Sequence, residues 1–256
     1  MSENTQSYSA KGEVSNITKR RTRFERIKIA FSKAPLSAWF GMIVLSIYLI
    51  AAFFAPFIAP HGEAEVFPVA YAPWGGEHLL GTDQIGRDIL SRLIFASRNT
   101  LGICFLACTI ALFIGTIFGI IAAIDRSYID QILSRSIDTL MAIPVMIFTF
   151  ILLSVFGPSN LNLILILGVL ESTRFFRISR SVAVGQVVLE YVEVAKLRGE
   201  KLSYIIFREI LPNIASPLIV EFGVRFIFII FTVSSLSFLG LGIQPPAADW
   251  AAMVRE

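Results

Sequence analysis

The chain has 256 residues, 55% hydrophobic and 16% charged, with a formal net charge of +3 and a mean hydropathy of +0.72. Soluble domains carry about 25% charged residues, so the composition excludes an ordinary water-soluble fold. Block-like apolar runs also exclude a membrane β-barrel, whose strands alternate in polarity.

Asp, Glu, Lys and Arg are absent between Lys33 and Glu63, Arg98 and Asp125, Asp138 and Glu171, and Arg225 and Asp249. Each gap matches or exceeds the ~20 residues that cross a bilayer as helix. Gly157-Pro158-Ser159-Asn160 divides the third gap, because these residues break helices and favour turns. Five spans are therefore expected, near 36–59, 100–124, 137–156, 161–178 and 212–241. The fold class is an all-α integral membrane protein, and a chain this short has no room to wrap five helices in a soluble core.

Residues 1–35 form a basic tail, with Lys11, Lys19, Arg20, Arg21, Arg23, Arg26, Lys28 and Lys33 against Glu3, Glu13 and Glu25. Basic residues near a span stay cytoplasmic, which places the N-terminus inside. Beside a membrane span, the tail reads as an orientation signal with affinity for anionic lipid, not as a nucleic-acid site. The first span starts too late and runs too long for a secretory h-region.

Residues 60–99 then lie outside and hold Arg87, Arg92 and Arg98. The inner segments hold 17 basic residues against these three. Arg87, Asp88 and Arg92 invite two readings, docking of an external protein or packing of an amphipathic elbow. Packing is favoured by the helical stripe Ile89, Leu90, Leu93 and Ile94. His61 and His78 fall in the same segment with no cysteine cluster near them, a weak basis for a metal site, and none is expected.

In the second span Cys104 and Cys108 are one turn apart and read as small packing residues. Gly115, Gly119 and Gly168 permit close helix approach. Pro144 is placed to kink the third span. Glu171, Arg174 and Arg177 lie at the inner end of the fourth, and Glu221 and Arg225 one turn apart in the fifth. Charges at membrane depth face a bundle interior or a cavity. Glu221 and Arg225 are thus either a structural pair, the reading given more weight, or part of a translocation path.

Residues 180–212 read as a helix, a break and a helix on the cytoplasmic side. Val187, Val188, Tyr191, Val194, Ala195 and Leu197 are expected on an apolar face, and Glu190, Glu193, Lys196 and Arg198 on a polar one. Gly199 suits a left-handed helix end, and Pro212 suits the start of the next span. From the residues alone, the segment is either a stub that takes a push from a soluble partner or an interfacial helix lying on lipid.

Glu193-x-Ala195-x-x-x-Gly199 followed by Ile210-Leu211-Pro212 resembles the EAA loop of ABC importer permeases, with Val194 in place of the usual middle alanine and Glu209 in place of the usual isoleucine. Leu80-Gly81-Thr82-Asp83, Gly86-Arg87-Asp88 and Arg92 resemble the segment before the second span in the "C" permease of the dipeptide/oligopeptide/nickel group. Ser237-Phe-Leu-Gly-Leu-Gly242 with Pro245, Pro246 and Trp250 resembles the end of that group's fifth span.

The resemblance covers residues 36–256 and implies a type I ABC importer transmembrane domain (MetI-like), with five spans visible of an expected six. A C-terminal stretch carrying the sixth is expected beyond Glu256. It further implies a homologous second permease, two cytoplasmic ATPase subunits, a periplasmic substrate-binding protein and a bacterial inner-membrane location. Glu193, Ala195, Gly199, Leu211 and Pro212 are then the ATPase-coupling residues. No Gly-x-x-x-x-Gly-Lys-Ser/Thr phosphate loop occurs in the chain, so ATP and Mg2+ are expected on the ATPase, with no cofactor or enzymatic activity here. A secondary transporter is the alternative, and the inverted repeats with broken helices expected of one are not found.

Overall fold

The computed structural model describes Ser32, residues 34–125 and residues 127–256. The tail's eight basic residues and Arg126 lie outside the described residues. The chain divides into two units, Met1–Ser46 and Ile47–Glu256.

The first unit holds the start of helix α1, Leu36–Ile58. Pro35 opens this helix, its carbonyl accepting the N–H groups of Ala38 and Trp39. Leu36, Trp39, Phe40, Ile43 and Leu45 are exposed apolar side chains, as suits a surface solvated by lipid.

The second unit begins within α1 at Ile47 and is helical again after an irregular segment. Helix α2 runs over Ile89–Ile124, α3 over Tyr128–Ala142, α4 over Val145–Phe156 and α5 over Asn160–Val187. The stub α6 is Glu190–Leu197. A short α7, Leu202–Tyr204, passes through a π turn, Ile205–Ile210, into α8, Leu211–Phe238, and α9 is Trp250–Arg255.

By length and composition, three helices among the described residues can cross a membrane, or four if α3 and α4 count as one bent span. The span expected near 137–156 is bent at Pro144, where a kink was expected: α3 and α4 meet at 87°. Pro144 is the cause, since it lacks an N–H to continue the ladder and its ring crowds the preceding turn. The expected fourth span is present as α5, but Glu171, Arg174, Arg177 and Arg180 leave it less apolar than the others.

The fifth span does not begin at Pro212. Helix continues unbroken from Leu202 to Phe238, and the break falls at Gly199–Lys201. The π turn makes this possible. Leu211 donates to the Ile206 carbonyl five residues back, and the wider turn relieves the crowding a proline ring imposes on an α-helix.

Helices α2 and α5 form the centre of the unit. A Cβ on Gly115 would stand 2.3 Å from the Ser172 carbonyl oxygen, and one on Gly119 would stand 2.0 Å from Ser179 Oγ. Two glycines one turn apart thus let the two backbones touch, the small-residue packing that apolar solvent favours. Ser179 Oγ adds a 3.2 Å hydrogen bond to the Gly115 carbonyl.

Two apolar clusters flank this contact. One joins Cys104, Cys108, Leu163, Leu167, Phe175, Ile229 and Val233; both cysteines are free and buried, as packing residues should be. The other joins Ile120, Ala183, Val192, Ala195, Ile206, Ile210 and Ile214. It carries the stub α6 on the ends of three long helices.

Candidate functional site

Helix α6 has two unlike faces. Val192 and Ala195, three residues apart, are fully buried against Ile205, Ile206 and Ile210 of the π turn and Ala183 of α5. Glu190, Glu193, Val194, Lys196 and Leu197 are exposed. The expected apolar face is corrected here. Val188, Val194 and Leu197 point outward, the last 82% exposed, and Val192 is the main inward anchor. At 100° per residue, positions 192 and 195 share a stripe that 194 and 197 do not. The outward face mixes Val194 and Leu197 with Glu190, Glu193 and Lys196.

Gly199 ends α6 at φ +73°. Its N–H donates to the Lys196 carbonyl at 2.9 Å, and the Glu200 N–H donates to the Ala195 carbonyl at 3.2 Å. This pair of bonds is the Schellman arrangement, which needs a left-handed residue at its centre. Tyr191 ties the other side of the stub: its hydroxyl donates to Gln186 Oε1 at 2.7 Å and accepts from Asn213 Nδ2 at 3.3 Å. Leu211 is half-buried against the same cluster and Pro212 is exposed. Beside Gly199, a shallow groove of 520 Å³ is lined by Glu200, Lys201, Tyr204, Phe207 and Arg208.

The residues between α1 and α2 form a buried polar cluster with the end of the chain. Gly81 and Gly86 have φ of +79° and +87°, and a Cβ on either would meet a backbone oxygen, of Ala72 at 2.4 Å or of Phe67 at 2.3 Å. Thr82 Oγ1 donates to the Val69 carbonyl at 2.9 Å and accepts from the Ala72 N–H at 2.8 Å. Asp83 accepts from the Arg87 backbone and Nε at 2.9 and 2.7 Å and also pairs with Arg92. Glu256 completes the cluster by pairing with both arginines.

Burial opposes ionisation of Asp83, but the Arg87 N–H and guanidinium hold its carboxyl below the usual carboxylate range. Burial opposes ionisation of Glu256 too, and Arg92 and Arg87 hold it low. Asp88 caps α2, accepting Ser91 N–H and Oγ–H on Oδ2 at 2.8 and 2.7 Å.

Arg87, Asp88 and Arg92 are all buried here, the two arginines paired with Asp83 and Glu256 and Asp88 bonded to Ser91 and His78. Of the apolar stripe, Leu93 is 42% exposed.

Trp250 anchors the far end of the unit, donating Nε1–H to the Leu93 carbonyl at 3.2 Å. Nearby, Thr100 Oγ1 donates to Asp249 at 2.8 Å. Ser237 Oγ accepts the Ile243 N–H at 3.1 Å and closes the turn after α8.

Glu221 and Arg225 do meet, Oε1 to Nε at 2.7 Å. The sequence grouped Glu171 with Arg174 and Arg177, whereas the fold brings its Oε2 to 3.9 Å from Arg225. The guanidinium also lies over Phe228, 4.8 Å from the ring centroid. The satisfaction is incomplete: Glu171 Oε2 and Arg225 Nε are buried without an aligned hydrogen-bond partner. Two further pairs that sequence spacing hides join α5 to α3. Arg177 pairs with Asp138 at 2.7 Å, and Arg180 binds Asp130 through Nε and Nη2, both at 2.6 Å.

Long apolar helices around a glycine-tight pair, with a polar stub anchored on their ends, have the form of a multi-pass membrane protein. Residues 115–256 match the family described as binding-protein-dependent transport system inner membrane component. Residues 31–73 match the N-terminal TM domain of oligopeptide transport permease C.

The dipeptide transport system permease protein DppC of Alkalihalophilus pseudofirmus is 34% identical over 218 residues, 84% of this chain and 71% of that protein. The di/tripeptide transport system permease protein DppC of Pseudomonas aeruginosa is 30% identical, covering 84% and 74%. The glutathione transport system permease protein GsiD of Pectobacterium atrosepticum is 31% identical, covering 92% and 79%. The chain belongs to this family, as a permease subunit of an ABC importer. A secondary transporter is not favoured.

Proposed function

We propose that this permease forms half of an inward-directed pore for peptides or a related small solute across a bacterial inner membrane, with residues 1–35 in the cytoplasm. A homologous permease supplies the other half and a periplasmic binding protein delivers the solute. Two ABC ATPases hold ATP and Mg2+ and drive the cycle. The relatives named above are, by name, permeases for dipeptides, di/tripeptides and glutathione. All of these are short peptides, which supports that cargo class. The excess of basic residues on one side supports the orientation.

The two-sided stub α6 carries the coupling reading. Its inner face, Val192 and Ala195, is locked into the cluster that ends α2, α5 and α8. Its outer face offers Glu193, Val194 and Leu197 to a partner. A push on that face is delivered to the long helices as a rigid body, because Gly199 and Tyr191 brace both of its ends. On this reading Glu193 touches the ATPase, while Ala195, Gly199, Leu211 and Pro212 hold the stub in place.

A tagged chain extracted in mild detergent from its native membrane should bring down ABC ATPase subunits. Glu193→Ala and Leu197→Ala should insert normally yet lose both ATPase association and peptide uptake. Wild-type association and uptake in both variants would reject α6 as the docking element.

A further inference from the structure

Three side chains of the outer segment converge where no role has been assigned to them together. His61 follows α1, His78 lies in a tight turn bridged to Gly75, and Asp88 caps α2. Their ligating atoms all lie within 4.8 Å of one another. We propose that His61, His78 and Asp88 form a binding site for a borderline divalent transition cation, for which Zn2+ is the probe.

The donor set points to this chemistry. Two imidazoles and one carboxylate suit Zn2+, Ni2+, Co2+ or Cu2+, whereas Mg2+ and Ca2+ prefer all-oxygen shells. Three protein ligands leave a fourth position for water, as in open zinc sites. Tetrahedral bonds of about 2.1 Å set ligand atoms roughly 3.4 Å apart. The widest pair here must therefore close by at most about 1.4 Å, a shift within reach of ring rotation.

The surroundings hold the ligands ready. Ser91 Oγ donates to Asp88 Oδ2 at 2.7 Å and accepts the His61 backbone N–H at 3.0 Å. One serine thus fixes the backbone of one ligand and the carboxylate of another. It leaves Asp88 Oδ1 turned to His78 Nδ1, 3.1 Å away. Outer-shell bonds of this type orient metal ligands. Phe67 packs edge-on against both imidazoles, with centroids at 4.8 and 4.6 Å, and screens the site. The adjacent Arg87 is committed to Asp83 and Glu256, so no guanidinium occupies Asp88. A bound cation would staple the chain after α1 to the start of α2 and stabilise the outer segment by mass action.

The test is zinc binding by the tag-free full chain in detergent, stripped with a chelator and titrated by calorimetry. Wild type should bind one Zn2+ per chain, and His61→Gln and His78→Gln should each weaken binding by about 10-fold or more. Glutamine keeps the side chains near full size, and an unchanged elution profile confirms the fold. Asp88→Asn keeps a competent helix cap and should also weaken zinc binding. Excess Mg2+ should not compete. No saturable zinc binding by wild type, wild-type affinity in both histidine variants, or displacement by equimolar Mg2+ would each overturn the site. None of these readouts depends on transport.

Discussion

Asp83 grips Arg87 twice, taking its backbone N–H on Oδ1 at 2.9 Å and its Nε–H on Oδ2 at 2.7 Å. The same Oδ2 also receives Arg92. Both guanidiniums are nearly fully buried, so the carboxylate is a required counter-charge. Removing one partner of a buried pair leaves an uncompensated charge, at a cost of about 3–5 kcal/mol. Glu256 still contacts both arginines, so Asp83→Asn should fall near the low end, about 3 kcal/mol. Thermal unfolding in detergent measures this, and an unchanged midpoint would show that the cluster adds no net stability.

The same cluster sets a pH dependence. Asp83 and Glu256 both titrate below their ordinary range in the folded protein. Their contribution is therefore complete above the unfolded carboxylate values of about 4. It is lost as the pH falls through the lower folded values. Stability should be flat from these groups between about pH 5 and 8 and drop in the acid limb. Asp83→Asn should flatten that limb, and an equally steep limb in the variant would assign it to other groups.

Glycines in α2 should separate by position. At Gly115 a new Cβ would collide with the Ser172 carbonyl, while at Gly102 it would meet nothing within 4 Å. Gly115→Ala should cost at least about 1–3 kcal/mol through overpacking. Gly102→Ala should be neutral or gain about 0.5–1 kcal/mol from helix propensity. Expression level and unfolding midpoint compare the two, and equal behaviour would dismiss the close α2–α5 contact.

In the stub, Val192 and Leu197 should have opposite phenotypes. Val192 is fully buried and Leu197 is 82% exposed. Val192→Ala should destabilise by about 2 kcal/mol, as a core truncation does. Leu197→Ala should leave stability within about 0.5 kcal/mol while weakening ATPase association. Loss of ATPase in the first variant alone would make α6 a structural element with no docking face.

Apolar run length was enough to read the chain as helical, because a lipid-solvated segment must satisfy its own backbone, but not where the helices begin: α2 starts at Ile89 and the last long helix at Leu202. It could not show the 87° bend at Pro144, since proline marks a weak point without fixing its angle. The stub was legible in its ends: Gly199 takes the left-handed conformation expected of it. Its orientation was misread, because an eight-residue helix gives too few turns for periodicity to choose a face. The cluster of Asp83, Arg87, Arg92 and Glu256 was hidden by the separation of Glu256 from both arginines. His61, His78 and Asp88 are likewise spread over the segment between α1 and α2, and only the fold brings them together.

The charges shared by α5 and α8 supply the last test. Arg225 stands between Glu221 at 2.7 Å and Glu171 at 3.9 Å. Arg225→Leu strands two largely buried carboxylates and should destabilise by about 3–5 kcal/mol. Adding Glu171→Gln and Glu221→Gln removes the stranded charges and should restore most of that loss, because a charge cluster replaced as a whole is often neutral. The triple variant then separates the two roles. If it folds and imports peptide at the wild-type rate, the cluster is structural pairing. If it folds and uptake fails while ATPase association persists, the three residues belong to the translocation path. A triple variant no more stable than Arg225→Leu alone would show that the charges are not coupled.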